Sequence, residues 1–364
     1  MNQAEGTAPM NRVVLGSTGI VSPQDAFGAL PIQRVSFDEA ERLLRRAVDG
    51  GMTFFDTARA YSDSEEKMGR ALHDLRDGIA IATKTMAKTP EAFWDDLHTS
   101  LRSLRTDHVD LYQFHCIDRV WAPGDGSGMY ECMVEAKRQG KIGHVGVTAH
   151  KVETAFEAVE SGLYETMQFP FNYLSSPRET ELVAACERAN MGFIAMKGLA
   201  GGLLTNADAL MAHMARFANV LPIWGVQRPE ELEAWLSYIE AGQPLMSAEL
   251  AAAIEADRSE LAGSFCRGCG YCAPCPQGIV VSQCARMSLM VRRAPSDAWL
   301  GEAWQAEMAK IDACTECRTC VDRCPYGLDV PTVLKENLDD YRRLLARRAE
   351  AGSSECAADG RGPA

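Results

Sequence analysis

Between about residue 25 and residue 245, short apolar runs alternate with longer segments whose apolar residues recur at helical spacing. The short runs, bounded by turn residues, read as buried strands, and the longer segments as amphipathic helices. Strands are expected at Ala26–Leu30, Met52–Asp56, Ile79–Lys84, Val109–His115, Gly143–Thr148, Thr166–Phe169, Phe193–Lys197 and Asn219–Trp224. Helices are expected between and after them, at Phe37–Gly50, Ser64–Leu75, Pro90–Arg105, Ser127–Gln139, Val152–Ser161, Ser176–Asn190, Ala207–Ala218 and Pro229–Ile239. Strict alternation implies a parallel sheet with crossover helices, the α/β class. Eight of each point to a (β/α)8 TIM barrel. An open doubly wound sheet is the alternative, but it should carry a GxGxxG first turn, which the chain lacks.

The rhythm stops after Gly242-Gln243-Pro244. Ala248–Leu261 reads as a helix, Gln283 to Asp312 as helical with Pro295 breaking it in two, and Val330–Glu350 as a last amphipathic helix. The expected organisation is a flexible N-terminus (1–11), the barrel (12–245), a small, mainly helical domain (246–350) and a polar, disordered tail (351–364).

The small domain carries two cysteine runs, Cys266-x2-Cys269-x2-Cys272-x2-Cys275-Pro276 and Cys314-x2-Cys317-x2-Cys320-x3-Cys324-Pro325. The second has bacterial ferredoxin spacing, and the first is one residue short of it. Three thiolates two residues apart wrap one cube, and the fourth Cys, next to Pro, ligates the cube of the other run. Two [4Fe–4S] clusters are therefore expected, one on Cys266, Cys269, Cys272 and Cys324, the other on Cys314, Cys317, Cys320 and Cys275. A single cluster is the alternative reading of the short first run. Zinc would use two distant CxxC pairs, without the third Cys or the repeated Cys-Pro. Cys284 lies between the runs as a spare thiol.

Composition narrows the picture. The chain has 364 residues, 46% apolar and 24% charged, with a formal charge of −13 from 37 basic and 50 acidic side chains. That acidity argues against nucleic acid as a partner. No apolar run reaches the ~18 residues a membrane span needs, and MNQAEGTAPMNR lacks an apolar signal core. Thirteen cysteines without an export signal indicate reduced thiols and metal in the cytoplasm, in a cell that tolerates low oxygen. Arg342, Arg343, Arg347 and Arg348 on the last helix read as a solvated face, the alternative being a dock for an acidic ferredoxin.

In a barrel, chemistry sits at the C-terminal ends of the strands. Asp56 ends the second strand, with Tyr61 in the loop after it, Lys84 ends the third and His115 the fourth. They make a chemical set. An ammonium beside a phenol lowers the phenol's pKa, a carboxylate lets the ammonium tolerate burial, and an imidazole supplies a second donor to a substrate oxygen. Cys116 and His150 follow strand ends nearby, and Trp121 sits in the loop after strand four, where it would cover the pocket or pack its own loop.

The stretch FFDTARAYSDSEEKMGRAL, with IATKT and DLYQFH, closely resembles the aldo-keto reductase family, over about Leu15 through Ala241. The cysteine-rich tail resembles the branch of that family with ferredoxin-type domains. The resemblance maps the family's catalytic tetrad onto Asp56, Tyr61, Lys84 and His115, with Tyr61 moving the proton on the carbonyl oxygen. It places Thr148 and Gln168 at the nicotinamide carboxamide of NADP(H) or NAD(H). It places Lys197, Gly198, Gly201 and Gly202 at the pyrophosphate, with Arg228 after the eighth strand; a tight barrel turn would need the same glycines. Two positions depart from the pattern. Met196 replaces the aromatic that stacks on the nicotinamide, and Glu233-Ala234 stands where the family has Glu-Asn.

The implied function is an iron–sulfur oxidoreductase acting on a small carbonyl or alcohol such as a sugar or polyol, with a ferredoxin or flavodoxin-like electron carrier. One alternative is a radical dehydratase (a lyase) that works through a ketyl without nicotinamide. The other is a non-catalytic electron-transfer subunit.

Overall fold

The computed structural model describes residues 7–261, 265–293 and 296–358. The chain divides into two compact units: Met1–Leu199 with Asn206–Arg258, and Ala200–Thr205 with Ser259–Ala364.

The first unit is a closed barrel of eight parallel strands. They are Ala26–Gly28, Phe54–Asp56, Ala80–Thr85, Val109–Phe114, Ile142–Thr148, Thr166–Pro170, Gly192–Met196 and Val220–Gly225. Each pairs with the next in sequence, and the eighth closes onto the first through Ile223↔Ala26 and Trp224↔Phe27. The expected (β/α)8 class is what the chain forms. The helices that cover the strands start where the sequence places caps. Ser36 and Ser176 each accept from the backbone N–H three residues on, while Glu39 and Glu179 reach back to the cap N–H.

Inside the barrel, Phe54, Ala82, Leu111, Ile194 and Leu221 pack with Val13 and Leu15. Those last two come from a hairpin, Arg12–Val14 with Val21–Pro23, that the strand pattern does not reveal. Gly16, in its turn, bridges Met191 just before the seventh strand, so the hairpin plugs the end where strands begin. The rim where strands finish is left for chemistry.

Three expected boundaries shift. Thr7–Ala8 pairs antiparallel with Gln243–Pro244, and the Gln243 side chain accepts from Asn11 N–H at 3.1 Å, so 7–11 is ordered by backbone pairing. Most of helix Ala248–Glu260 joins the barrel, because Arg258 Nε donates to Tyr173 O at 2.7 Å and Asp257 accepts from the Tyr173 hydroxyl. The division therefore falls at 258/259 rather than 245. The last helix runs Val330–Ala358, beyond the expected Glu350, and 359–364 lie outside the described residues.

The second unit is mainly helical, with a small core of Ile279, Val281, Cys284, Met287, Met308, Ile311, Leu334, Leu338 and Tyr341. The stretch read as two helices is instead three short ones, Val281–Cys284, Met287–Arg293 and Glu302–Ala309, and Pro295 lies outside the described residues. Among the described residues no helix is long and apolar enough to cross a membrane.

Candidate functional site

Parallel register brings the rim residues level: Asp56 lies opposite Ala82, Lys84 opposite Gln113, and Thr148 opposite Gln168. Lys84 is fully buried, at 0% exposure. Its Nζ donates to Asp56 Oδ1 at 2.6 Å, Asp56 Oδ2 at 2.7 Å and Thr57 O at 2.6 Å. Three donors with three acceptors define an ammonium held against a carboxylate. Burial pushes the Asp56 carboxyl up and the Lys84 ammonium down, and their mutual attraction opposes both shifts. We read the pair as charged, because every ammonium proton has an acceptor. The network continues inward: Gln168 donates to Asp56 Oδ2 at 3.5 Å and accepts from Gln113 Nε2 at 2.9 Å.

Tyr61 lies over this pair, with Lys84 Nζ 5.5 Å from its ring centroid. Burial, then the charges of Asp56 and Cys116, push its phenol above the ordinary value. The sequence argument expected the neighbouring ammonium to lower it. The difference has a physical cause: Asp56 neutralises the ammonium, and desolvation then dominates. Tyr61 therefore holds its proton at neutral pH.

His115 meets Tyr61 edge-to-face at 5.8 Å. Burial, with Lys84 and Lys197 adding to it, pushes its pKa down to about 3, so the ring is neutral. Its Nδ1 has no hydrogen-bond partner among the described residues. His150 is also buried and held neutral, with its Nδ1 4.0 Å from Cys116 Sγ. Trp121 is tied to the segment before the sixth strand: its backbone N–H donates to Tyr164 Oη at 3.1 Å, and the Tyr164 hydroxyl donates to Trp121 O at 2.6 Å.

Several of the positions expected to hold a nicotinamide make contacts within the protein. Gln168 is tied to Gln113 and Asp56, and Thr148 Oγ1 accepts from Cys116 N–H at 2.7 Å. A Cβ on Gly198 would fall 2.4 Å from the Trp224 ring, so this glycine serves packing. Gly201 O accepts from Arg286 at 2.8 Å. Arg228 pairs with Glu231 of its own helix at 2.7 Å. Gly202 lies in the segment that belongs to the second unit.

In the second unit Cys266, Cys269, Cys272 and Cys324 line one cavity, walled by Val281, Ala285, Leu328, Val330 and Val333. Cys275, Cys314, Cys317 and Cys320 line another, and Cys272 and Val281 border both. Among the described residues no three His, Cys, Asp or Glu side chains converge on a single-ion position. The sulfurs surround volumes, which suits a cluster.

The two turns are conformational copies. Gly268 and Gly270 have φ of 67° and 84°, and Glu316 and Arg318, at matching places after Cys314, have φ of 52° and 59°. Non-glycine residues rarely adopt this region, so the second turn is held there by its surroundings. Burial pushes the Cys272 thiol up to about 12, with Cys266 and Cys269 adding to it. Bound metal relieves that crowding by taking the thiolates as ligands. Cys284 lines neither cavity; it is fully buried, and burial raises its thiol to about 11. Arg342 and Arg343 pair with Asp312 and Asp340, as the solvated-face reading expects.

Sequence reasoning missed Gln113, Thr57 and Arg286. A glutamine inside the apolar strand Leu111-Tyr112-Gln113-Phe114 was a legible signal of a buried polar partner. The carbonyl of Thr57 and the guanidinium of Arg286 depend on tertiary contacts and left no sequence mark.

Comparison with known proteins agrees with this architecture. Residues 25–220 match the aldo/keto reductase family, and residues 265–329 match a 4Fe-4S dicluster domain. The chain belongs to the aldo/keto reductase family. It is an oxidoreductase with a C-terminal iron–sulfur domain.

Aldo-keto reductase YhdN of Bacillus subtilis is 32% identical over 178 residues, covering 44% of this chain and 52% of that protein. The uncharacterized oxidoreductase YrpG of the same organism is 30% identical over 227 residues, covering 54% of this chain and 68% of that protein. The chain thus spans about half the length of the first relative and about two thirds of the second. The Klebsiella pneumoniae aldo-keto reductase in complex with NADPH superposes with a TM-score of 0.60 at 23% identity, over 68% of this chain and 95% of that one. AKR11C1 from Bacillus halodurans, in its holo form, gives 0.57 at 19%, over 68% and 96%. These structural likenesses speak to the barrel fold.

Proposed function

We propose that the protein is a cytoplasmic iron–sulfur oxidoreductase that reduces the carbonyl, or oxidises the alcohol, of a small sugar- or polyol-like molecule. The observation that carries the reading is the Lys84 ammonium, saturated by Asp56 and Thr57 beneath the Tyr61 ring. A buried ion pair of this kind costs several kcal/mol in desolvation, an expense without structural return at a barrel rim.

In the reductive direction the Tyr61 phenol donates a hydrogen bond to the substrate oxygen and passes its proton as negative charge develops there. Neutral His115 orients the same oxygen as a second donor. The Lys84–Asp56 pair stays fixed beneath the Tyr61 ring, and the raised phenol keeps its proton until negative charge develops on the substrate oxygen. Two clusters would be held by Cys266, Cys269, Cys272 and Cys324, and by Cys275, Cys314, Cys317 and Cys320. When bound they would supply two electrons, one at a time, from a carrier of ferredoxin or flavodoxin type; the Tyr61 proton completes the O–H bond and a second proton, from solvent, the C–H bond.

No step is routed through nicotinamide in this reading, because the Thr148 hydroxyl, the Gln168 amide and the Arg228 guanidinium already have partners within the protein. The same observation favours a second reading, a radical dehydratase in which Tyr61 or His115 acts as acid to a departing hydroxyl. Product analysis separates the two: reduction changes the oxidation level of the substrate, and dehydration does not. The proton role is tested by Tyr61→Phe, which should abolish turnover while iron and sulfide content stay at the wild-type level. Full activity in that variant would rule the role out.

A further inference from the structure

Arg286 directly precedes helix Met287–Arg293 and belongs to neither cysteine run. It is only 6% exposed, and a guanidinium is costly to bury unless its donors are matched. Nη1 donates to Gly201 O at 2.8 Å, while Nη2 and Nε donate to Gln283 Oε1 at 2.8 and 3.3 Å.

Two glycines from separate stretches make room for it. A Cβ on Gly201 would fall 2.0 Å from Nη1, and one on Gly268 would fall 2.7 Å from Nη1 and 3.0 Å from Cζ. Gly268 lies between Cys266 and Cys269, and its N–H donates to Cys266 Sγ at 3.4 Å. The cation is therefore pressed against the backbone that hydrogen-bonds a cysteine sulfur. The matching turn has no such arrangement. Its charges, Glu316 and Arg318, are exposed and paired with Lys335 and Asp329, where solvent screens them.

We infer that Arg286 is a positioning residue that raises the reduction potential of the cluster held by Cys266, Cys269, Cys272 and Cys324. This rests on the ligand assignment above. Reduction places one added electron, and so one added negative charge, on that cluster. A fixed cation in a dry setting stabilises the reduced form more than the oxidised form. Through Gly201 the same guanidinium ties Ala200–Thr205 into the cluster unit.

The test uses the full chain, purified anaerobically, as wild type, Arg286→Gln and Arg286→Lys. Iron and sulfide are quantified, and a redox titration is followed by electron paramagnetic resonance. Arg286→Gln should lower one midpoint potential and leave the other in place, at wild-type iron content. Arg286→Lys, whose ammonium lacks the fork that reaches Gly201, should shift the same midpoint by less. Unchanged potentials, or an equal shift in both, would overturn the inference. If Arg286→Gln fails to load metal, Arg286→Lys is read by the same criterion. A wild-type chain without iron would instead sink the ligand assignment, whatever Arg286 does.

Discussion

Asp56→Asn isolates the ion pair on which the site is built. The substitution removes the carboxylate charge while keeping the side chain's shape. Lys84 Nζ loses two charge-assisted bonds, at 2.6 and 2.7 Å, and can regain only one weaker bond to the amide oxygen. At 2.6 Å and an effective dielectric near 20, the Coulomb attraction alone is about 6 kcal/mol. Removing one partner of a buried pair generally costs about 3–5 kcal/mol, because the remaining charge is stranded. For a unit of this size that corresponds to a Tm lower by roughly 6–20 °C.

Denaturant unfolding followed by tryptophan fluorescence reads this in the barrel, where Trp224 and Trp235 stack at 4.2 Å. The double variant Asp56→Leu with Lys84→Met should regain most of the stability, because apolar replacements of buried pairs are often neutral. It should remain inactive. A single-variant loss below about 1 kcal/mol would refute a charged pair, since it is smaller than one stranded charge allows.

Other outcomes follow from different parts of the chain. Asp25 is fully buried before the first strand, and burial raises its pKa well above the carboxylate range, against a smaller lowering by a side-chain hydrogen bond from Trp224. Its folded value exceeds its unfolded one, so stability is retained below about pH 4 and lost as pH rises, by up to about 1.4 kcal/mol per unit. Asp25→Asn should therefore be more stable than wild type at pH 8, with the difference vanishing near pH 4; a parallel pH profile would contradict this.

Gly270→Ala should keep wild-type iron content, because a Cβ there meets nothing within 4 Å and Arg318 adopts the same φ region in the matching turn. Gly268→Ala should lose iron, because its Cβ would fall 2.7 Å from the buried Arg286 guanidinium, and the turn that carries Cys266 and Cys269 must shift to clear it. Equal loading of the two would count against the reading. Titrating the anaerobic protein with NADPH should produce neither saturable fluorescence quenching nor cluster bleaching, and saturable bleaching would show that a nicotinamide site exists.

Strand and helix order was legible because apolar period and turn residues agree across the whole barrel, so local signals never conflict with the global arrangement. The rim residues were legible by position: Asp56, Lys84 and His115 each end an apolar run. The electrostatics were not. The raised Tyr61 phenol depends on Asp56 cancelling Lys84, a three-body effect that no spacing encodes. The N-terminal hairpin escaped because strands of three residues carry too little alternation to read. The glycine-rich segment after the seventh strand stayed ambiguous, because packing glycines and phosphate-binding glycines look alike in sequence. Gly198 yields to Trp224 and Gly201 to Arg286, contacts visible only in three dimensions.

The central claim is that proton transfer by Tyr61 and electron delivery by the cysteine-bound clusters serve one reaction. The most direct measurement mixes the chemically reduced protein with a panel of small sugar and polyol carbonyl compounds and follows cluster reoxidation by visible absorbance, in wild type and in Tyr61→Phe. At least one compound should reoxidise the wild-type clusters, with Tyr61→Phe far slower at equal iron content. Equal reoxidation rates in the two proteins would show that the phenol and the clusters act independently.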